Sequence, residues 1–232
     1  YRLEVELGET GEAKVDICAN SRYRMWINER PVLSGPCRSD QNRQYYERVD
    51  VGSFFHAGKN VIAVQVLLCD SMYTPSCFDK RAPLVSVETL PVGHRLGLEG
   101  AVKNETGEVM ADLTTGEADW RVWLDNTFYV YKEGNADGNL GALSEKIDFN
   151  QTFTDWKKDG FDAYSWKAAV KLEPVGEGLE MQFGILKTLR MEERPIPLCF
   201  EEPATLKKEL GEPVFGTGEY LVVEPGEEKT IL

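Results

Sequence analysis

Lys14-Val15-Asp16-Ile17-Cys18-Ala19-Asn20 and, after Ser21, Arg22-Tyr23-Arg24-Met25-Trp26-Ile27-Asn28 decide the fold class. Val15, Ile17 and Ala19 alternate with polar or small neighbours, and Tyr23, Met25 and Ile27 alternate with Arg22, Arg24 and Trp26. A period of two puts one set of side chains on a core and the other toward water or a partner, the mark of half-buried antiparallel strands. Asn20-Ser21 supplies a tight connection, because Asn tolerates positive φ. Asn28-Glu29-Arg30-Pro31 ends the second strand, and Gly35-Pro36 opens a polar loop running to Arg43.

Outward from this pair the same rhythm continues. Tyr1–Val5 alternates like a strand, and Tyr45–Val51 is the next strand in order. Gly52–Ala57 forms a short turn that tucks Phe54 and Phe55 inward, and Gly58-Lys59-Asn60 reverses the chain. Val61–Leu68 is apolar on both faces, as a central strand of a sandwich should be, and its β-branched content favours strand over helix. Leu84–Thr89, Arg95–Val102, Arg121–Leu124, Ala168–Leu172 and Leu179–Leu189 follow, separated by turns such as Lys132–Asn139 and Asp159–Asp162. Ala204–Leu210 is the best short helix. The pattern predicts an all-β, antiparallel β-sandwich with little helix.

Composition narrows the function. The 232 residues carry 26 Lys and Arg against 39 Asp and Glu, a net charge of −13, which argues against binding a nucleic-acid backbone. Hydrophobic residues at 42% suffice for a packed core, so wholesale disorder is excluded. The longest apolar stretch, Val61–Leu68, falls far short of the roughly 20 residues of a membrane span. The opening Tyr1–Val5 has neither an initiator Met nor a signal-like apolar run and reads as the interior of a longer polypeptide. Cys18, Cys37, Cys69, Cys77 and Cys199 are odd in number and lack paired metal-ligand spacing, so buried or free thiols are expected. A Cys69–Cys77 bridge remains open if the chain is exported. The sequons at Asn104 and Asn150 matter only in a eukaryotic secretory route.

Little in the chain reads as catalytic. No Ser nucleophile elbow, Gly-rich phosphate loop or zinc-binding helix motif is present. His56 and His94 lie in turns, and Glu201-Glu202 and Glu227-Glu228 are adjacent acids whose side chains diverge on an extended chain. The aromatics say more. Trp26 lies on the Arg22 and Arg24 face of its strand, where an indole can stack on the C–H face of a sugar while the two arginines hydrogen-bond its hydroxyls. The competing expectation is that Trp26 packs under a loop or a neighbouring domain. Trp120, Trp123, Trp156 and Trp166 read as anchors at sheet corners.

Several segments, in order, resemble the N-terminal region of bacterial α-L-rhamnosidases of glycoside hydrolase family 78. They are Arg22–Asn28 with Gly35-Pro36-Cys37-Arg38, then Tyr45–Val51 with Gly58–Val64. Ala118-Asp119-Trp120-Arg121-Val122, Ser165-Trp166-Lys167-Ala168-Ala169 and Arg194-Pro195-Ile196-Pro197 complete the set. The strand–Asn and Gly-Lys-Asn pieces also resemble the sugar-binding sandwich of family 2 β-galactosidases and glucuronidases; the ordered later elements tilt toward family 78. Glu29, where the family has Gly, and Phe54-Phe55, where it has a Leu-rich turn, depart from the pattern.

The resemblance implies a galactose-binding-like jelly-roll sandwich over residues 1–200. Residues 201–232 would then be a linker and the start of a second, truncated sandwich. It also implies a downstream (α/α)6 barrel as partner, where an acid and a base hydrolyse rhamnose-containing glycans with inversion. No catalytic residue carries over to this chain, no metal or cofactor is assigned, and the segment alone is expected to be inactive. Its role is support of the barrel, with possible sugar contact through Trp26, Arg22 and Arg24. The alternatives are a stand-alone carbohydrate-binding module or a family 2 sugar-binding domain. Location stays open between bacterial cytoplasm and periplasm, the scattered cysteines tilting to the cytoplasm.

Overall fold

The computed structural model describes residues 1–20, 22–37, 43–67, 95–132, 143–147, 153–171 and 190–198; of these, the side chains of 20, 43, 128–132, 143–147 and 190 are left aside. The chain divides into two compact units, Tyr1–Cys199 and Phe200–Leu232, and every described residue belongs to the first. In order come β1 (Arg2–Leu7), β2 (Glu12–Asn20), β3 (Arg22–Ile27), β4 (Arg30–Gly35) and β5 (Arg43–Asp50). A 3-10 turn at Gly52–Phe54 leads to β6 (Gly58–Leu67), β7 (Arg95–Lys103), β8 (Val109–Asp112) and β9 (Arg121–Val122). The remaining strands are β10 (Phe128–Lys132), β11 (Leu143–Ile147), β12 (Lys167–Ala168) and β13 (Arg190–Glu193).

These strands form a six-stranded sheet in the order β12-β9-β1-β6-β3-β4, a five-stranded sheet in the order β13-β5-β2-β7-β8, and a separate β10–β11 hairpin. The fold is an all-β sandwich. Val15, Ile17 and Ala19 from β2 are all buried in one core with Tyr23, Met25 and Ile27 from β3, so the alternation reports the inward face correctly. Leu3 and Leu7 of β1, Leu98 and Val102 of β7, and Trp120 complete the same core. β6 lies between β1 and β3, and Val61, Ile62, Ala63 and Val64 are all buried, as its two-sided apolarity predicts. Ile62 and Val64 face the core, whereas Val61 and Ala63 lie on the opposite, covered face.

Two features depart from the sequence reading. Arg30–Gly35, which the sequence reading leaves unassigned between the break at Asn28–Pro31 and the loop opened by Gly35-Pro36, is a strand. Ile27 pairs with Arg30 around a two-residue turn, and Pro31 is accommodated because β4 is an edge strand with a bulge opposite Met25 and Trp26. Asn28 (φ 50°) and Glu29 (φ 64°) are both left-handed there, the requirement of a hairpin turn whose twist matches its strands. The second departure is one parallel pair among the otherwise antiparallel pairs of the described residues: β13 runs parallel to β5, from Arg190 beside Arg43 to Glu193 beside Tyr46. A strand arriving from a distant part of the chain is not bound to the hairpin direction.

Asn28 and Asn60 tie the β3–β4 turn to the start of β6. Asn60 is fully buried; its amide donates to the carbonyls of His56 and Gly58, and its Oδ1 accepts from Asn28 Nδ2 at 2.8 Å and from the His56 N–H at 3.0 Å. Asn28 Oδ1 in turn accepts the Val61 N–H at 2.9 Å. Phe55 is buried, while Phe54 is half-buried under the Arg30 guanidinium, 4.5 Å from its ring centroid. Leu84–Thr89, Leu179–Leu189, the 133–139 part of the predicted turn and the Ala204–Leu210 helix lie outside the described residues.

Candidate functional site

Register builds one row across the outer face of the six-stranded sheet. Trp26 stands beside Ala63, Ala63 beside Arg2, and Arg2 beside Arg121. Residues 153–166 lie over this row, and Arg2 fastens them. Its guanidinium is almost fully buried and donates from Nε to the Trp156 carbonyl at 3.0 Å and from Nη2 to the Lys158 carbonyl at 2.9 Å. Nη1 pairs with Glu4, and the cation sits 5.7 Å from the Phe161 ring. A buried guanidinium with its donors on carbonyls and a carboxylate is the satisfied way to bury that charge.

Above the row the aromatic rings of the wrap pack on one another. Trp156 and Trp166 lie 6.1 Å apart, Phe161 meets Trp166 edge-on at 5.8 Å, and Phe153 meets Trp123 edge-on at 5.2 Å. Trp26 joins at the rim, its ring T-shaped against Trp156 at 5.9 Å and 81°, with Lys157 Nζ 4.6 Å above its face. Trp26 is half-buried, while Arg22 and Arg24 are exposed on the same face, Arg24 Nε reaching Ser34 Oγ at 3.4 Å. The three sequence-predicted ligand residues thus share one strand face beside the wrap. Part of the Trp26 ring is already engaged by Trp156 and Lys157. Of the other tryptophans, Trp120 is a core anchor whose Nε1 donates to the Leu113 carbonyl, Trp166 is buried in the outer cluster, and Trp123 is 45% exposed.

A second cluster lies inside the sandwich, where four of the family-like segments, those holding Tyr23, Cys37, Glu47 and Arg194, meet. Glu47 faces inward from β5, opposite Ile17, and is 0% exposed. Tyr23, inward from β3 on the other sheet, donates its hydroxyl to Glu47 Oε2 at 2.6 Å, so one hydrogen bond bridges the two sheets. The Cys37 N–H donates to Oε1 at 2.6 Å, and Arg194 Nη1 stands 3.5 Å from the same oxygen. Arg194 also donates to the carbonyls of Ile196 and Pro197, and its own N–H donates to the Tyr46 carbonyl. Gly35 is required beside them: a Cβ there would lie 2.6 Å from Glu47 Oε2 and 2.7 Å from the Tyr23 hydroxyl.

Burial pushes the Glu47 carboxyl above its usual range, although Tyr23, Cys37 and Arg194 all favour its charged form. Burial likewise raises the Tyr23 hydroxyl, with Glu47 adding to it. The nearby Cys18 thiol is pushed far up by burial and by Glu47, so it stays protonated and unreactive; it accepts from Gln44 Nε2 and donates to the Tyr45 carbonyl, both at 3.2 Å. A carboxylate sealed from water with its oxygens committed to protein donors has no access to a substrate proton. This cluster is a clasp holding β3, the β4–β5 connection, β5 and β13 together.

His56 is exposed, with Nδ1 2.8 Å from the Ala57 carbonyl. Among the described residues, no group of three or more His, Cys, Asp or Glu is placed to hold a metal ion, and no helix is long and apolar enough to cross a membrane. His94, Cys69, Cys77, Cys199, Asn150, Glu201, Glu202, Glu227 and Glu228 lie outside the described residues. Sequence reasoning missed Arg2 and Glu47. Each is one charge in an alternating strand, and only the partner on a distant segment distinguishes it from a solvated neighbour.

The sequence matches no protein-family profile and no curated protein. Among solved structures the chain is similar to a GH78 family rhamnosidase of Bacillus sp. GL1, with 24% identity and a TM-score of 0.57, over 85% of this chain and 18% of that one. It is similar to an α-L-rhamnosidase from Dictyoglumus thermophilum, with 16% identity and a TM-score of 0.51, over 82% of this chain and 18% of that one. The chain therefore spans less than a fifth of either enzyme, and what it shares with them is the β-sandwich fold.

Proposed function

We propose that this chain is an accessory, non-catalytic sandwich of a glycoside hydrolase related to family 78 α-L-rhamnosidases, supporting a separate catalytic barrel. The observation that carries the reading is the match of 85% of this chain to 18% of the Bacillus rhamnosidase. It is supported by five of the seven family-like segments, which meet in the Glu47 clasp or lock the Asn28–Asn60 turn and so serve the shared fold. Residues 1–200 would be the sandwich and 201–232 the passage to a further one. The test is hydrolysis of aryl glycosides by the longest natural form of the polypeptide beside the 232-residue chain. Release from an α-L-rhamnoside by the longer form alone is expected. Release from a β-galactoside or β-glucuronide would replace the reading with a family 2 one, and turnover by the short chain would overturn its accessory role.

A second reading, direct contact with a rhamnose-containing carbohydrate, is favoured by half-buried Trp26 sharing a face with exposed Arg22 and Arg24. Saturation-transfer NMR with L-rhamnose tests it. Transfer lost in Arg22→Ala and Trp26→Ala variants supports contact, and no transfer to the unaltered chain refutes it.

A further inference from the structure

The Glu47 clasp holds one of its elements differently from the rest. β2, β3 and β7 enter the core with apolar side chains, whereas none of residues 191–198 is buried. Ile196 and Leu198 are 55% and 40% exposed. Among the described residues β13 is the terminal strand of its sheet. It pairs over four residues, and in parallel with β5, a ladder slightly weaker per residue than an antiparallel one. Few buried apolar contacts and a short edge ladder mark a segment that opens before the rest of a fold.

The ties that hold this segment are polar. The Arg194 N–H donates to the Tyr46 carbonyl at 2.9 Å, and Arg194 Nη1 stands 3.5 Å from Glu47 Oε1. Glu193 pairs with Arg48 at 3.0 Å on the surface, where an ion pair contributes little, and Arg48 keeps Asp16 at 2.6 Å without it. The Arg194 bonds to the Ile196 and Pro197 carbonyls lie within the segment, so they travel with it when it moves. Glu47 stays engaged from the other side, because Tyr23 and the Cys37 N–H donate to it from elements that remain in place. Opening also admits water to a carboxyl that burial holds above its usual range, which relieves part of its desolvation.

We propose that residues 190–198 form a releasable strap, latched by Arg194 on Glu47, that peels from β5 while the core of the sandwich stays folded. The inference stands apart from the family reading. Release uncovers the β5 edge. Because the first compact unit ends at Cys199, release also adds up to about 30 Å of extended chain ahead of Phe200–Leu232, at ~3.3 Å per residue.

Hydrogen exchange at single amides of the 232-residue chain tests this. The Arg194 N–H is hydrogen-bonded, so its exchange reports opening and not simple exposure. After correction for intrinsic rates it is expected to exchange at least about a hundredfold faster than the bonded amides of β2, the strand between β5 and β7. Its rate should depend little on low concentrations of urea, since a local opening exposes little surface. Arg194→Met should speed the bonded amides of β13 by about tenfold or more and leave those of β2 within about twofold, with Arg194→Lys between the two. Exchange of the Arg194 amide at the β2 rate, with the same steep urea dependence, overturns the proposal, because the segment then opens only with the whole domain. An Arg194→Met chain in which β13 and β2 accelerate together, or in which neither changes, overturns the latch.

Discussion

Replacing Glu47 with alanine takes the acceptor away from three donors at once. Tyr23 Oη and the Cys37 N–H each sit 2.6 Å from its carboxylate, and Arg194 stands at 3.5 Å with only 7% of its side chain exposed. A buried neutral donor left unpaired costs about 1–3 kcal/mol, and removing one partner of a buried ion pair costs about 3–5 kcal/mol. These do not add. Arg194 keeps its bonds to the Ile196 and Pro197 carbonyls, and the desolvation of Glu47 itself is relieved. A net loss of about 3–4 kcal/mol is expected, a drop of about 10 °C in melting temperature for a unit of this size. Urea unfolding followed by circular dichroism measures it, and a double-mutant cycle with Tyr23→Phe should show a coupling of about 1 kcal/mol or more. A loss below about 1 kcal/mol for Glu47→Ala, or additivity with Tyr23→Phe, would refute the clasp.

Glu47→Gln should expose the titration of the same group. Burial holds the folded pKa above the unfolded value, so the folded state takes up the proton more readily. The associated stability is present below the ordinary carboxylate range and is lost as pH rises through the raised folded value, so the advantage of the unaltered chain over Glu47→Gln should shrink in that window; a growing advantage would reverse the sign. Arg2→Met should free the 153–166 wrap at a cost of about 2–3 kcal/mol, because it breaks two charge-assisted bonds to the Trp156 and Lys158 carbonyls. A red-shifted tryptophan emission and new proteolytic cuts near 156–158 would report it, and an unchanged spectrum would count against the anchor. Glu29→Gly should stabilise by about 0.5–1 kcal/mol, since Gly relieves the left-handed φ of 64° at only a modest entropic loss. A lower urea midpoint would contradict that.

The alternation of 14–20 and 22–27 made the strands and their inward faces legible, because a half-buried sheet writes its burial into a period of two. β4 and β8 were not legible: Pro31 reads as a breaker unless its strand is known to be an edge, and Val109–Asp112 is too short to show a period. Trp26 shows the same limit in the candidate site. Its outward direction followed from its neighbours, but Trp156 against its ring lies 130 residues away in sequence.

By itself, then, the sequence determined local quantities: which segments extend, which side of each is apolar, where the chain turns, and the ordered motifs that resemble one enzyme family. Tertiary structure alone decided what those residues meet. The clasp joins Tyr23, Cys37, Glu47 and Arg194 from four separate segments, and the wrap joins Arg2 to the Trp156 and Lys158 carbonyls. Strand alternation depends on the nearest neighbours and the direction of the core, whereas a buried charge depends on the partner that folding brings to it. That is why Arg2, Glu47 and Arg194 look like ordinary charges in the chain and are fasteners in the fold.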